Sequence, residues 1–246
     1  MRSMLAVLLL AVLLLAALDA AALNDIAIAP FSAAQPGDEL PAGWRPVTLP
    51  YGRQAQMKLV RDDGRTVLQV RSDDAFGTAA HSVSADPAST PILAWRWKVD
   101  RALGTANLET KEGEDFAARV YVSFDYPLHE LPLLTRAKLR IARALYGDVP
   151  AAAICYVWDG SHARGTSAWS PYFDHVRIVV IESGNARAGK WVEERRDVDA
   201  DFRAAFGERW KRPTPRIVAV VAGNDTDQIH QSVTAWFGDF KLEPRP

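Results

Sequence analysis

Apolar and polar residues alternate along much of this chain, and the alternation predicts β-strands. In residues 92–99, Trp95, Trp97 and Val99 share one face, with Arg96 and Lys98 on the other. Residues 116–124 repeat the pattern. Phe116, Ala118, Val120, Val122 and Phe124 line one side, and Ala117, Arg119, Tyr121 and Ser123 the other. Further strands are expected near 26–31, 43–47, 56–60, 66–71, 78–83, 154–158, 176–182, 217–222 and 232–242. Asp62-Asp63-Gly64-Arg65 supplies a hairpin turn between two of them. The run Ile178-Val179-Val180-Ile181 is apolar on both faces and should lie centrally, under cover from another element.

Two helices interrupt the strands. Over 131–146, Leu134, Ala137 or Lys138, Ile141 and Leu145 mark an apolar stripe, and Gly147 can stop the helix. Arg136, Lys138, Arg140 and Arg143 fill its other face, read here as solvated. A shorter helix covers 200–206, with Asp199 as cap, Gly207 as stop, and Phe202 and Phe206 packing inward. Many short strands with regular turns, without repeats or a long linker, predict a single mainly-β domain over 23–246. Its architecture should be a two-sheet antiparallel β-sandwich or jelly roll, with one amphipathic helix and one short helix inserted.

The N-terminal pattern differs. Arg2 is followed by an uncharged apolar run over 4–18, then Asp19 and the small residues Ala20-Ala21-Ala22. That order reads as a signal peptide over 1–22, which places the mature chain in the periplasm or outside the cell. The run is shorter than the roughly 20 residues a spanning helix needs, so no stable membrane span is expected after cleavage. The net charge of −1 gives no overall field for nucleic acid. Cys155 is the one cysteine and cannot form an internal disulfide; within Ile154-Cys155-Tyr156-Val157 it reads as a small buried hydrophobe.

Familiar catalytic signatures are missing: no G-x-S-x-G elbow, no phosphate loop and no H-E-x-x-H. His81, His129, His162, His175 and His230 do not pair at ligand spacing, and neither a metal nor a cofactor is expected. Carboxylates at strand ends offer hard oxygen ligands or acid–base groups: Glu114-Asp115 before one strand, and Asp225 with Asp227 after another. Both pairs also suit turn capping. If the strands at 92–99 and 116–124 are neighbours, Arg96, Lys98, Arg119 and Tyr121 form a cationic face suited to acidic sugars or carboxylates. Cross-strand ion pairs would use the same cations internally. Among the eight tryptophans, Trp158 and Trp169, with Tyr172, stand at or near the loop over 159–165 and are expected to reach solvent.

Several segments carry a resemblance: Trp95-Arg96-Trp97-Lys98-Val99, the stretch from Lys111 to Val122, Ser170-Pro171-Tyr172, Trp191 with Glu194-Arg195-Arg196-Asp197-Val198, Asp225-Thr226-Asp227 and Phe237-Gly238-Asp239. Together the chain resembles the bacterial exported proteins grouped as domain of unknown function 3047. Gln228-Ile229 departs from the Asn and small residue expected after Asp-Thr-Asp. The resemblance implies a jelly roll like that of carbohydrate-binding modules, and no activity.

The expected function is an exported, non-catalytic binder of a saccharide or cell-envelope glycan, with no oligomeric state implied. Lys98, Arg119 and Tyr121 would meet the ligand, Trp158 would stack on it, and Lys111, Asp115, Asp225 and Asp227 would border or brace the site. Two alternatives stand beside it. A polysaccharide lyase would use Tyr121 with Arg119 and Lys98, and a glycoside hydrolase would use Asp115 with Asp227. A structural or partner-binding role would leave the cations tied into ion pairs.

Overall fold

A computed structural model describes residues 26–48, 52–146 and 149–246; residues 1–22, expected from the sequence to be a signal peptide, and Gly147 fall outside these. In chain order the strands are β1 (Ile26–Ile28), β2 (Trp44–Val47), β3 (Gln56–Asp62), β4 (Arg65–Asp73), β5 (Phe76–Ala85), β6 (Ile92–Val99) and β7 (Ala118–Phe124). They continue with β8 (Ala152–Asp159), β9 (Ser167–Trp169), β10 (Val176–Ser183), β11 (Val192–Asp197), β12 (Ile217–Asp225), β13 (Ser232–Phe237) and β14 (Phe240–Glu243). The helices are α1 (Leu133–Tyr146) and α2 (Val198–Phe206).

The strands form two sheets, as the alternating pattern predicts. Sheet A runs β1-β14-β6-β13-β4-β3, with β11 on the free flank of β6. Sheet B runs β2-β5-β12-β7-β8-β10-β9. The faces that meet are the apolar ones read from the sequence. Trp95, Trp97 and Val99 of β6 pack against Val120, Val122 and Phe124 of β7 and against Tyr156 and Trp158 of β8 in one core. The rings of Trp97 and Trp158 lie 5.9 Å apart, and those of Trp95 and Tyr156 5.7 Å apart. The β3–β4 hairpin turns at Asp63 (φ 50°) and Gly64 (φ 73°), the left-handed pair that a two-residue turn of matching twist requires.

Every residue of β8 is buried, because sheet B is covered on both sides. Its outer face carries a second cluster, in which Leu108 and Phe116 from the β6–β7 connection cover Cys155, Val157 and Ile178. Burial pushes the Cys155 thiol up to about 12, which leaves it an unreactive apolar group.

Three details differ from the sequence expectation. The β8–β10 pair is parallel, while the other paired strands among the described residues are antiparallel. The chain between them spans residues 160–175 and includes β9, enough for the crossover that a parallel pair needs. Helix α2 begins one residue after Asp197, whose carboxylate accepts from the Ala200 amide at 2.9 Å; Asp197, not Asp199, is the cap. In α1 two residues of the expected apolar stripe face out: Leu134 is 79% and Ile141 62% exposed. The helix instead docks through Leu139 and through Thr135, whose hydroxyl donates to Asp174 at 3.0 Å.

Candidate functional site

The strand ends of β7 and β12 gather most of the residues singled out in the sequence. Arg119 stands opposite Val157 of β8 and Gly223 of β12, so its side chain leaves the outer face of sheet B. That face is roofed by Phe116, whose ring centroid lies 5.2 Å from the guanidinium carbon, and Arg119 is only 4% exposed. It donates to the Glu114 carbonyl at 3.0 Å, to the Tyr121 hydroxyl at 2.9 Å and to Asp225 Oδ1. Burial is the largest influence and opposes its charge, but Asp225, Tyr121, Cys155 and Glu114 together outweigh it and hold the guanidinium protonated.

Around this pair sit three more carboxyl groups. Glu114 accepts both contacts of the Ser170 hydroxyl, at 2.9 and 3.0 Å. Asp115 Oδ2 accepts the backbone amides of Gln228 at 2.9 Å and Ile229 at 2.8 Å. Asp227 completes the group, with oxygens of Asp115, Asp225 and Asp227 within 4.8 Å of one another. Burial raises the pKa of both Glu114 and Asp115. At the mouth, the Tyr172 hydroxyl lies 3.2 Å from the Lys111 carbonyl and 3.1 Å from Gln228 Oε1, and the Lys111 ammonium sits 5.4 Å from the Tyr172 ring centre.

The structure therefore unites Asp115, Arg119, Tyr121, Asp225 and Asp227, with Lys111 at the rim. It does not bring Lys98 to them. Strands β6 and β7 lie in different sheets, so Lys98 and Arg119 point away from opposite sides of the sandwich. The expected joint cationic face does not exist, and the lyase arrangement of Tyr121, Arg119 and Lys98 goes with it. Trp158 is also corrected. It is fully buried between the sheets and its indole donates to the Gly184 carbonyl at 3.0 Å, so no ligand can stack on it. The Asp115–Asp227 hydrolase pair lacks the geometry of two carboxylates across a cleft, because Asp115 is sealed and tied to two backbone amides.

Lys98 belongs to a different surface, the outer face of sheet A. Cross-strand register places Trp236 of β13 between Lys98 of β6 and Gln69 of β4. The Lys98 ammonium lies 4.6 Å from the Trp236 ring centre and 5.1 Å from that of Trp191, and pairs with Asp62 at 2.5 Å. Trp191 donates to the same Asp62 carboxylate at 2.9 Å, and Arg96 stacks over Trp191 at 4.3 Å. Burial alone would raise the Asp62 pKa, but the hydrogen bonds from Lys98 and Trp191 hold it below the usual carboxylate range. Beside Trp236 a hollow of about 230 Å³ is lined by Gln69, Arg71, Asp100, Arg101 and Thr234. Trp236 was legible as an outward residue, since it alternates with the buried Ala235 and Phe237. Its partners on β4 were not, because nothing local pairs β13 with β4.

A cleft of about 550 Å³ lies between β10, β11 and α2, and sequence reasoning missed it. Its arginines are engaged already: Arg164 with Glu182 at 3.3 Å, Arg196 with Asp201 at 2.7 Å and Arg177 with the Ser167 hydroxyl at 2.7 Å. Glu194 stands on its wall. Burial, with Glu182 nearby, pushes this carboxyl up to about 7.

No curated protein matches the sequence. Among solved structures, the chain is similar to the xyloglucanase domain of NopAA, a type three effector from Sinorhizobium fredii, in complex with cellobiose. That match has 8% identity and a TM-score of 0.45, and covers 86% of this chain and 99% of that one. The endoglucanase Cel12A from Rhodothermus marinus matches at 10% identity and a TM-score of 0.45, covering 86% and 96%. The family 30 carbohydrate-binding module of a Clostridium thermocellum cellulosomal cellulase matches at 12% identity and a TM-score of 0.36, covering 90% and 98%. The family described as "Protein of unknown function (DUF3047)" matches residues 42–241, most of the chain, and the chain belongs to that family.

Proposed function

We propose that the protein is an exported, non-catalytic binder of an acidic saccharide, such as a uronate-bearing envelope glycan, and that it takes this ligand on the outer face of sheet A. One observation carries the reading: Trp236 is partly exposed and sits between Lys98 and Gln69, at the edge of a polar hollow. An indole offers an apolar face to the C–H side of a sugar ring. Gln69 and Arg71 line the same hollow, and their side chains have no hydrogen-bond partner among the described residues. An amide can meet ring hydroxyls, and a free guanidinium can hold a carboxylate through two parallel bonds. Lys98 adds positive potential beside the ring while staying fixed by Asp62.

The test is a panel of uronate-containing and neutral oligosaccharides. Trp236→Ala is expected to weaken binding of the acidic ligands about tenfold or more, which corresponds to about 1.4 kcal/mol. Arg71→Ala should weaken acidic ligands and leave neutral ones unchanged. Equal affinity of the wild type and a folded Trp236→Ala protein would remove the assignment.

A further inference from the structure

We propose that Asp115, Asp225 and Asp227 form a divalent cation site of the Ca²⁺ type, separate from the Trp236 face and on the other sheet. Three observations converge. The three carboxylates offer oxygens within 4.8 Å of one another. Oxygens bound to one Ca²⁺ lie about 2.3–2.6 Å from it, so they can be up to about 5 Å apart. Mg²⁺ demands near-ideal octahedral geometry and dehydrates reluctantly, so a group of protein carboxylates suits Ca²⁺ better.

The second observation is an orphan. Asp115 is completely buried and spends Oδ2 on two backbone amides, while its Oδ1 is buried with no partner. A buried carboxylate oxygen without a donor is costly, and a metal ion satisfies it directly. The third is charge. Glu114, Asp115, Asp225 and Asp227 crowd one place, and Arg119 is the cation hydrogen-bonded into the group. The Lys111 ammonium is turned to the Tyr172 ring rather than to a carboxylate. One divalent ion offsets two of the excess negative charges.

The loop supplies the spacing. Asp225 ends β12 and Asp227 follows two residues later, with Thr226 between them anchored by its amide to the Ala75 carbonyl at 3.0 Å. Asp227 is the partly exposed member and gives the ion its route from solvent.

The purified protein, stripped with chelator, is titrated with CaCl₂ by calorimetry and melted with and without Ca²⁺. One site per chain and a rise in Tm of about 5 °C or more in millimolar Ca²⁺ are expected, with a weaker response to Mg²⁺. Asp227→Asn should melt near the stripped wild type in chelator and lose the Ca²⁺ response. Asp115→Asn should lose it too. Absence of both binding heat and stabilisation in the stripped wild type would overturn the site. So would a Ca²⁺ response in Asp227→Asn equal to that of the wild type.

Discussion

Arg119 shows how one side chain organises its surroundings. Its position on the polar side of β7 was legible from alternation alone, because side chains on a strand change face at every residue. Its burial was not, because the cover comes from Phe116 and from Asp225, which is 106 residues away in sequence. A guanidinium in that place is held by Asp225, the Glu114 carbonyl and Tyr121, and its loss leaves Asp225 buried beside two other carboxylates. Arg119→Met is therefore expected to lower the unfolding free energy by about 3–5 kcal/mol in urea titration. A loss below about 1 kcal/mol would mean the pair is solvated. Trp158 teaches the opposite lesson. It was expected at the surface because the loop beginning at Asp159 follows it, yet parity assigns it to the same inward face as Tyr156 and Ile154, and the structure agrees with parity.

At the scale of elements, the strands and their inward faces were readable, while the pairings were not. Strands β6 and β7 follow one another in sequence and share one alternating pattern, yet they lie in different sheets. Local pattern carries no term for partner choice, and the connection over 100–117 is long enough to cross the sandwich. The same limit hid the cleft where β11 and α2 of one layer meet β10 of the other. There the raised carboxyl of Glu194 yields a prediction with a definite sign. The folded chain holds this proton more tightly than the unfolded chain, so the contribution is full below about pH 4.5 and lost as pH rises through about 7. Glu194→Gln keeps the size and removes the titration. Its Tm relative to wild type should therefore be higher at pH 8 than at pH 5, and an equal difference at both would contradict the assignment. Helix α1 was readable as a helix but not in orientation. Its packing rests on Leu139 and Thr135, off the stripe that periodicity singled out.

At the scale of the whole molecule, two sheets pressed together leave two outer faces with different characters. The outside of sheet B is sealed near β8 by its own apolar cover and closes over a carboxylate cluster. The outside of sheet A stays open and carries Trp191, Trp236, Lys98, Gln69 and Arg71 toward solvent. Recognition is assigned to the open face, and the ion-binding group to the closed one. The most direct test follows the indole N–H resonances of the eight tryptophans by NMR while a uronate oligosaccharide is added. The resonance of Trp236 should move most, with Trp191 next, while those of Trp97 and Trp158 stay in place. An unmoved Trp236 signal at saturating ligand, or shifts confined to tryptophans away from sheet A's outer face, would contradict the account.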